Sequence, residues 1–178
     1  MNIASLNIFT NNDQIAWVGA GGKTSLMFAI ANELFSKRCF VTTSTKMGYS
    51  EMSLAHQVIQ IDNFNNFDPS SCNGITLYYK GVKDSKKDKI IGYSVEELSN
   101  ISPFLKTLNI PLIIEADGSK RKPFKFPGEH EPNIPSFVNK VCVVVGLSAI
   151  GKPLSEEYFF RHEKISQFLD VSLGKIIG

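Results

Sequence analysis

The chain has no apolar run approaching the roughly 18 residues that a membrane-spanning helix needs, so no partnership with a membrane is expected. Its charge is almost balanced, at +2, so bulk charge gives no argument for nucleic acid and any basic site must be local. Cysteine is scarce. Cys39, Cys72 and Cys142 are odd in number, scattered and without metal-ligand spacing, which argues against a disulfide framework or a zinc site. Cys39 and Cys142 lie in apolar runs and read as buried thiols of a reducing compartment. The N-terminal stretch MNIASLNIFTNNDQ lacks a basic region followed by an apolar one, so no export signal is expected and the cytoplasm is the default location. Repeats and low-complexity tracts are absent. What remains is 178 residues, 43% of them apolar, enough for one domain spanning 1–178 with a substantial core.

Gln14–Val18 is a short apolar run that meets glycines at once, which reads as a strand stopped by a turn. Thr24–Ser36 follows with Leu26, Met27, Ile30, Ala31 and Leu34 at helical spacing. Phe40–Thr43 is aromatic and β-branched, a second strand. Together these make a βαβ unit with parallel strands. His56–Ile61 and Ile75–Tyr79 are further strand candidates, separated by a polar loop, and 80–89 reads as a solvated basic hairpin or loop. Ser94 with Glu97 three residues on is a capping box, and Pro103 suggests that the helix it opens breaks into two. Ile110–Glu115 and Val141–Leu147 read as buried strands, the second apolar on both faces. The pattern predicts a three-layer α/β domain with a parallel sheet and helices on both faces, of the P-loop NTPase-like kind.

The chemistry concentrates in Gly19-Ala20-Gly21-Gly22-Lys23-Thr24-Ser25, between the first strand and the first helix. Glycines let the backbone turn with positive φ and approach a phosphate closely. Successive amides then form an anion nest, and the helix adds its positive end. Lys23 would reach the outer phosphates and the Thr24 hydroxyl would bind Mg²⁺. The spacing is G-x-x-G-K-T, two residues shorter than the usual phosphate loop, whose first glycine would fall at Trp17.

Such a loop needs a carboxylate from a neighbouring strand, and Glu115 and Asp117 end a strand expected to lie beside the first. Asp117 is the expected metal ligand, with Glu115 orienting water or the metal. Four cations, Lys120, Arg121, Lys122 and Lys125, follow directly and could clamp a triphosphate or hold an anionic partner, Lys122 reading rather as part of a solvated loop. Thr43, at the end of the second strand, and Lys46 are further candidate phosphate contacts. Pro127–Pro135 is too proline-rich for regular structure and could order on ligand binding like a switch segment, with His130 and Glu131 as alternative metal contacts.

The segments VGAGGKTSLMFAIANEL (Val18–Leu34), VTTSTKM (Val41–Met47), IIEADGSKRKPFKFPGEHEPNIP (Ile113–Pro135) and VVVGLSAIGKPL (Val144–Leu154) resemble the YqeC-type proteins, described as accessory proteins for selenium-dependent molybdenum hydroxylases. The resemblance implies a nucleotide-binding protein acting in molybdoenzyme maturation, with the enzyme or its cofactor as partner. Relatives of that type run further at the C-terminus and carry a His-Arg pair where this chain has Arg161-His162. Ile114–Gly118 also looks like the I-E-x-x-G of GTPases that serve nickel-enzyme maturation, an analogy of fold. No N-K-x-D-type segment selects a base, so ATP and GTP both stand as ligands with Mg²⁺. Three readings follow: a slow NTPase acting as an assembly factor; a small kinase or ligase-like enzyme, since Mur-type ligases share the short loop; and a non-enzymatic module that gates a partner.

Overall fold

The structure, a computed structural model, describes residues 8–35, 37–83 and 89–178. The elements run β1 (Gln14–Gly19), α1 (Lys23–Leu34), β2 (Arg38–Thr43), β3 (Lys46–Gly48), β4 (Gln57–Gln60), β5 (Gly74–Tyr79), β6 (Gly81–Lys83), β7 (Lys89–Ile91), α2 (Val95–Thr107), β8 (Leu112–Glu115), β9 (Phe124–Lys125), β10 (Lys140–Val144), β11 (Lys152–Pro153), β12 (Phe159–Phe160), α3 (His162–Leu169) and β13 (Ile176–Ile177). Six strands form one sheet in the order β10-β1-β8-β2-β5-β4, every pair parallel. The expected α/β class with a parallel sheet is what the chain adopts.

Strand alternation divides the apolar residues between two faces. Ile15, Trp17, Val41, Ile75, Leu77 and Ile113 turn to the face covered by Met27, Phe28, Ile30 and Ala31 of α1. Ala16, Val18, Phe40, Tyr78, Leu112 and Ile114 turn to the opposite face, covered by Leu98, Ile101 and Leu105 of α2. Register aligns Ile15 with Ile113 and Val41 with Ile113, so each layer is continuous across the sheet centre. A smaller cluster of Ala149, Leu154, Phe159 and Ile165 holds the C-terminal segments, where β9 pairs with β12 and β11 with β13.

Two expectations need correction. The Ser94–Glu97 capping box forms as expected, but α2 is one helix with Pro103 inside it. Its buried stripe of Leu98, Ile101 and Leu105 runs straight through the proline, and burial of that stripe outweighs one lost backbone hydrogen bond. The second concerns Val141–Leu147, expected to be covered on both faces. β10 is the outermost strand, and Val141 and Val143 are 47% and 70% exposed on the α2 side. The helix lies over the central strands, so only Cys142 and Val144 of β10 find apolar neighbours. The segment 80–89 enters an antiparallel sheet, β3-β7-β6, with residues 84–88 outside the described set. Ser36, the expected end of the first helix, also lies outside it.

Cys39 is buried as expected, whereas Cys142, on the edge strand, is half-buried; burial raises the Cys39 and Cys72 thiols and pushes Cys142 up to about 11, which keeps all three protonated at neutral pH.

Candidate functional site

β1, β8 and β2 end side by side, and their C-terminal ends carry Gly19, Glu115 and Thr43. In an open parallel sheet this edge is where ligands bind. β1 stops because Gly19, Gly21 and Gly22 adopt φ of 98°, 84° and 92°, a region closed to most side chains. Gly21 is also fixed by space. A Cβ there would sit 2.3 Å from the Gly146 Cα and 2.8 Å from the Pro123 carbonyl oxygen. The loop is therefore pressed against the chain that follows β10 and the chain that precedes β9.

That packing decides which amides can face a ligand. The Gly19 amide donates to Asp117 Oδ2 (2.9 Å), Ala20 to the Val144 carbonyl (2.8 Å) and Gly21 to the Lys122 carbonyl (3.1 Å). The expectation of an anion nest over the whole of Gly19–Ser25 is thus narrowed. The amides of Gly22, Lys23, Thr24 and Ser25 open α1, where helical geometry supplies no acceptor.

Lys23 is buried and turned back onto its own loop. Its Nζ donates to the Gly19 carbonyl (2.9 Å) and lies 3.1 Å from Asp117 Oδ1, an ion pair without hydrogen-bonding alignment. Asp117 is the hub of a buried network. Its Oδ2 forms an ion pair with Lys125 Nζ at 2.7 Å, and Lys125 donates to Glu131 Oε2 (2.9 Å) and the Gly118 carbonyl (3.0 Å). Glu131 accepts from Arg161 (2.8 Å), which donates as well to the Phe126 carbonyl. Arg161, foremost, and Lys125 hold the Glu131 carboxyl down at about 2. Glu131 is thereby committed to ion pairing. Among the described residues no group of three His, Cys, Asp or Glu could hold a metal.

Glu115 is placed differently. It is 6% exposed and accepts the Thr24 hydroxyl at 2.6 Å, the short distance of a charge-assisted bond. Burial pushes its carboxyl up to about 7, against the pull of Lys23 and Thr24. A folded-state pKa above the unfolded value means that the native state binds the extra proton between about pH 4.5 and 7. Stability from this group is present at low pH and is lost as pH rises through that window. Glu115→Gln keeps an acceptor for Thr24 and removes the titration. Relative to the parent, this variant is expected to gain on the order of 2 kcal/mol between pH 5 and pH 8, read from urea unfolding at both pH values.

Thr43, expected at the ligand, is fully buried. It donates to the Glu115 carbonyl (2.9 Å) and accepts from the Thr45 amide (3.1 Å), so it fixes the end of β8. A cleft of about 970 Å³ opens over the loop. Its floor is 22–25 with Glu115, one wall is 118–121 including Lys120 and Arg121, and the other carries Lys46, 48–51 and Lys89. Lys120 sits over the Phe160 ring, 4.9 Å from its centre. Lys125, expected with its neighbours to face an anionic ligand, is turned inward onto Asp117 and Glu131 instead, a pairing that sequence reasoning missed together with Lys89. A usable signal for Lys125 was its place between Phe124 and Phe126, since alternation in even a two-residue strand turns it away from the solvent-facing cations.

The class of protein these features define is a parallel α/β domain whose sheet ends in a glycine-rich turn, with a buried lysine, a hydroxyl and a carboxylate gathered at one helix N-terminus. The YqeC protein family matches residues 15–163, so the chain belongs to that family. It is 33% identical over 162 residues, 89% of its length, to the "Uncharacterized protein YqeC" of Escherichia coli (strain K12). It spans about 60% of the length of that relative. No solved structure matches. No described helix is long and apolar enough to cross a membrane.

Proposed function

We propose that the protein is a P-loop NTPase-like nucleotide-binding protein of the cytoplasm that takes ATP or GTP with Mg²⁺ and hydrolyses it slowly. The observation that carries this reading is the meeting of four unpartnered amides, 22–25, with buried Lys23 and the Thr24–Glu115 pair at one helix N-terminus. The amides and the helix end supply a positive concavity for phosphate oxygens. Lys23 supplies a positive charge beside the amides, held by a carbonyl of its own loop and one unaligned carboxylate oxygen.

The residues fit a magnesium ion. Thr24 and Glu115 are hard oxygen donors 2.6 Å apart at the foot of the cleft, and Mg²⁺ takes one or two protein oxygens beside those of the phosphates. This exchanges the two carboxylates of the original expectation: Glu115 holds the metal, because Asp117 is taken up by Lys23, Lys125 and the Gly19 amide. Bound Mg²⁺ would supply charge neutralisation at the outer phosphates. Lys120 and Arg121, on the near wall, would screen the same charge from the open side. The part played in molybdoenzyme maturation, with the enzyme or its cofactor as partner, rests on the family resemblance.

Thermal unfolding with ATP, GTP and their diphosphates, with and without Mg²⁺, tests the reading. A ligand at 100 times its Kd adds roughly 2.7 kcal/mol. One triphosphate is expected to stabilise the protein, and Mg²⁺ to deepen the effect. If no nucleotide shifts the transition, the reading fails.

A further inference from the structure

The cleft is lined also by a second sheet, apart from the loop. β3, β7 and β6 form an antiparallel sheet in which Met47 pairs with Ile90, and Ile90 with Val82. Met47 and Ile90 are buried in the α1-side core. Alternation therefore turns Lys46, Lys83 and Lys89 to the opposite face. Lys83 stands directly across from Lys89, and Lys46 lies diagonal to it on the other side. Like charges placed opposite one another destabilise a sheet. Among the described residues, none of these three lysines forms an ion pair. Glu51, on the same wall, is turned to the Gly48 amide at 2.9 Å. The crowding is strong enough that Lys83, and less so Lys89, lowers the Lys46 pKa.

Lys46 and Lys89 line the cleft with Tyr49, and Lys120 and Arg121 line it too. Single-ligand pockets run from about 300 to 1,000 Å³, and this cleft stands at the top of that range. A cleft lined by several cations, without an ion pair for Lys46 or Lys89 among the described residues, suits a compact polyanion, because clustered like charges focus the field. We infer that the part of the cleft lined by Lys46 and Lys89, with Lys83 beside them on the same sheet face, is a second anion subsite, which takes a phosphate-bearing small molecule distinct from the triphosphate on the loop. The inference deepens the triphosphate reading and rests on it for the identity of the first ligand. The protein then brings two phosphorylated ligands into one cleft.

Inorganic pyrophosphate is the probe, titrated calorimetrically into the full chain at physiological salt. The parent is expected to bind two equivalents. Lys23→Ala should lose one of them, and Lys46→Ala/Lys89→Ala should weaken the other at least tenfold. Both lysines of the double variant are exposed, and circular dichroism checks that it folds. Two equivalents bound unchanged by the double variant would overturn the subsite. So would a single equivalent in the parent that Lys23→Ala removes, with the loop reading left standing. A single equivalent lost only in the double variant would keep the subsite and sink the loop reading. No binding to the parent would sink both.

Discussion

Lys23→Ala is expected to lower triphosphate affinity by about tenfold to a hundredfold while the protein stays folded. A hydrogen bond to a charged group contributes roughly 1.5–3 kcal/mol, and each 1.4 kcal/mol is tenfold in affinity. Lys23 begins α1, and its side chain folds back toward Gly19 and Asp117, next to the free amides. The fold should tolerate the loss, because Asp117 keeps the Lys125 ammonium at 2.7 Å and the Gly19 amide at 2.9 Å. Calorimetric titration of the Mg²⁺ complex, alongside circular dichroism, checks both halves. A folded variant with parental affinity would remove the phosphate-loop assignment.

Much of this arrangement was legible in the residues. The glycines at the end of an apolar run marked the loop, since only a backbone with positive φ turns so sharply off a strand. The convergence of Glu115 and Asp117 on that loop was expected from strand alternation and a place beside β1; the register bears this out for Glu115, and Asp117, beyond the strand end, meets the loop through Gly19 and Lys23. What each carboxylate does was not legible. It depends on Lys125, which arrives from a loop whose neighbours Lys120, Arg121 and Lys122 give no hint that one cation in five positions turns inward. The loss of three loop amides to the Val144 and Lys122 carbonyls and to Asp117 was equally hidden, because these partners lie 98 or more residues away in the chain. An apolar run likewise does not say whether its strand is central. Val141 and Val143 belong to an edge because β10 pairs only with β1, a fact of topology.

Asp117→Ala is expected to be the most destabilising single change at the site, by about 3–5 kcal/mol, the usual cost of removing one partner from a buried ion pair. The side chains of Lys23 and Lys125 are 4% and 3% exposed, so neither ammonium can turn to water without moving the backbone. Lys125 retains Glu131 at 2.9 Å, which places the cost toward the lower end of that range. Lys23 retains only a carbonyl, and the Gly19 amide loses its acceptor. For a chain of this length each kcal/mol moves the midpoint by roughly 2–4 °C, so thermal unfolding should read a drop of about 10 °C. Glu115→Gln, two residues away on the same strand end, is expected to leave stability unchanged or raised at pH 8, because it removes a buried carboxyl whose ionisation costs stability. Magnesium-dependent triphosphate binding should move the other way and be lost with Glu115. If Asp117→Ala were neutral in stability while abolishing only the Mg²⁺-dependent part of binding, the assignment of the two carboxylates would have to be reversed. The pair of variants thus separates the carboxylate that holds the site together from the one that meets the metal.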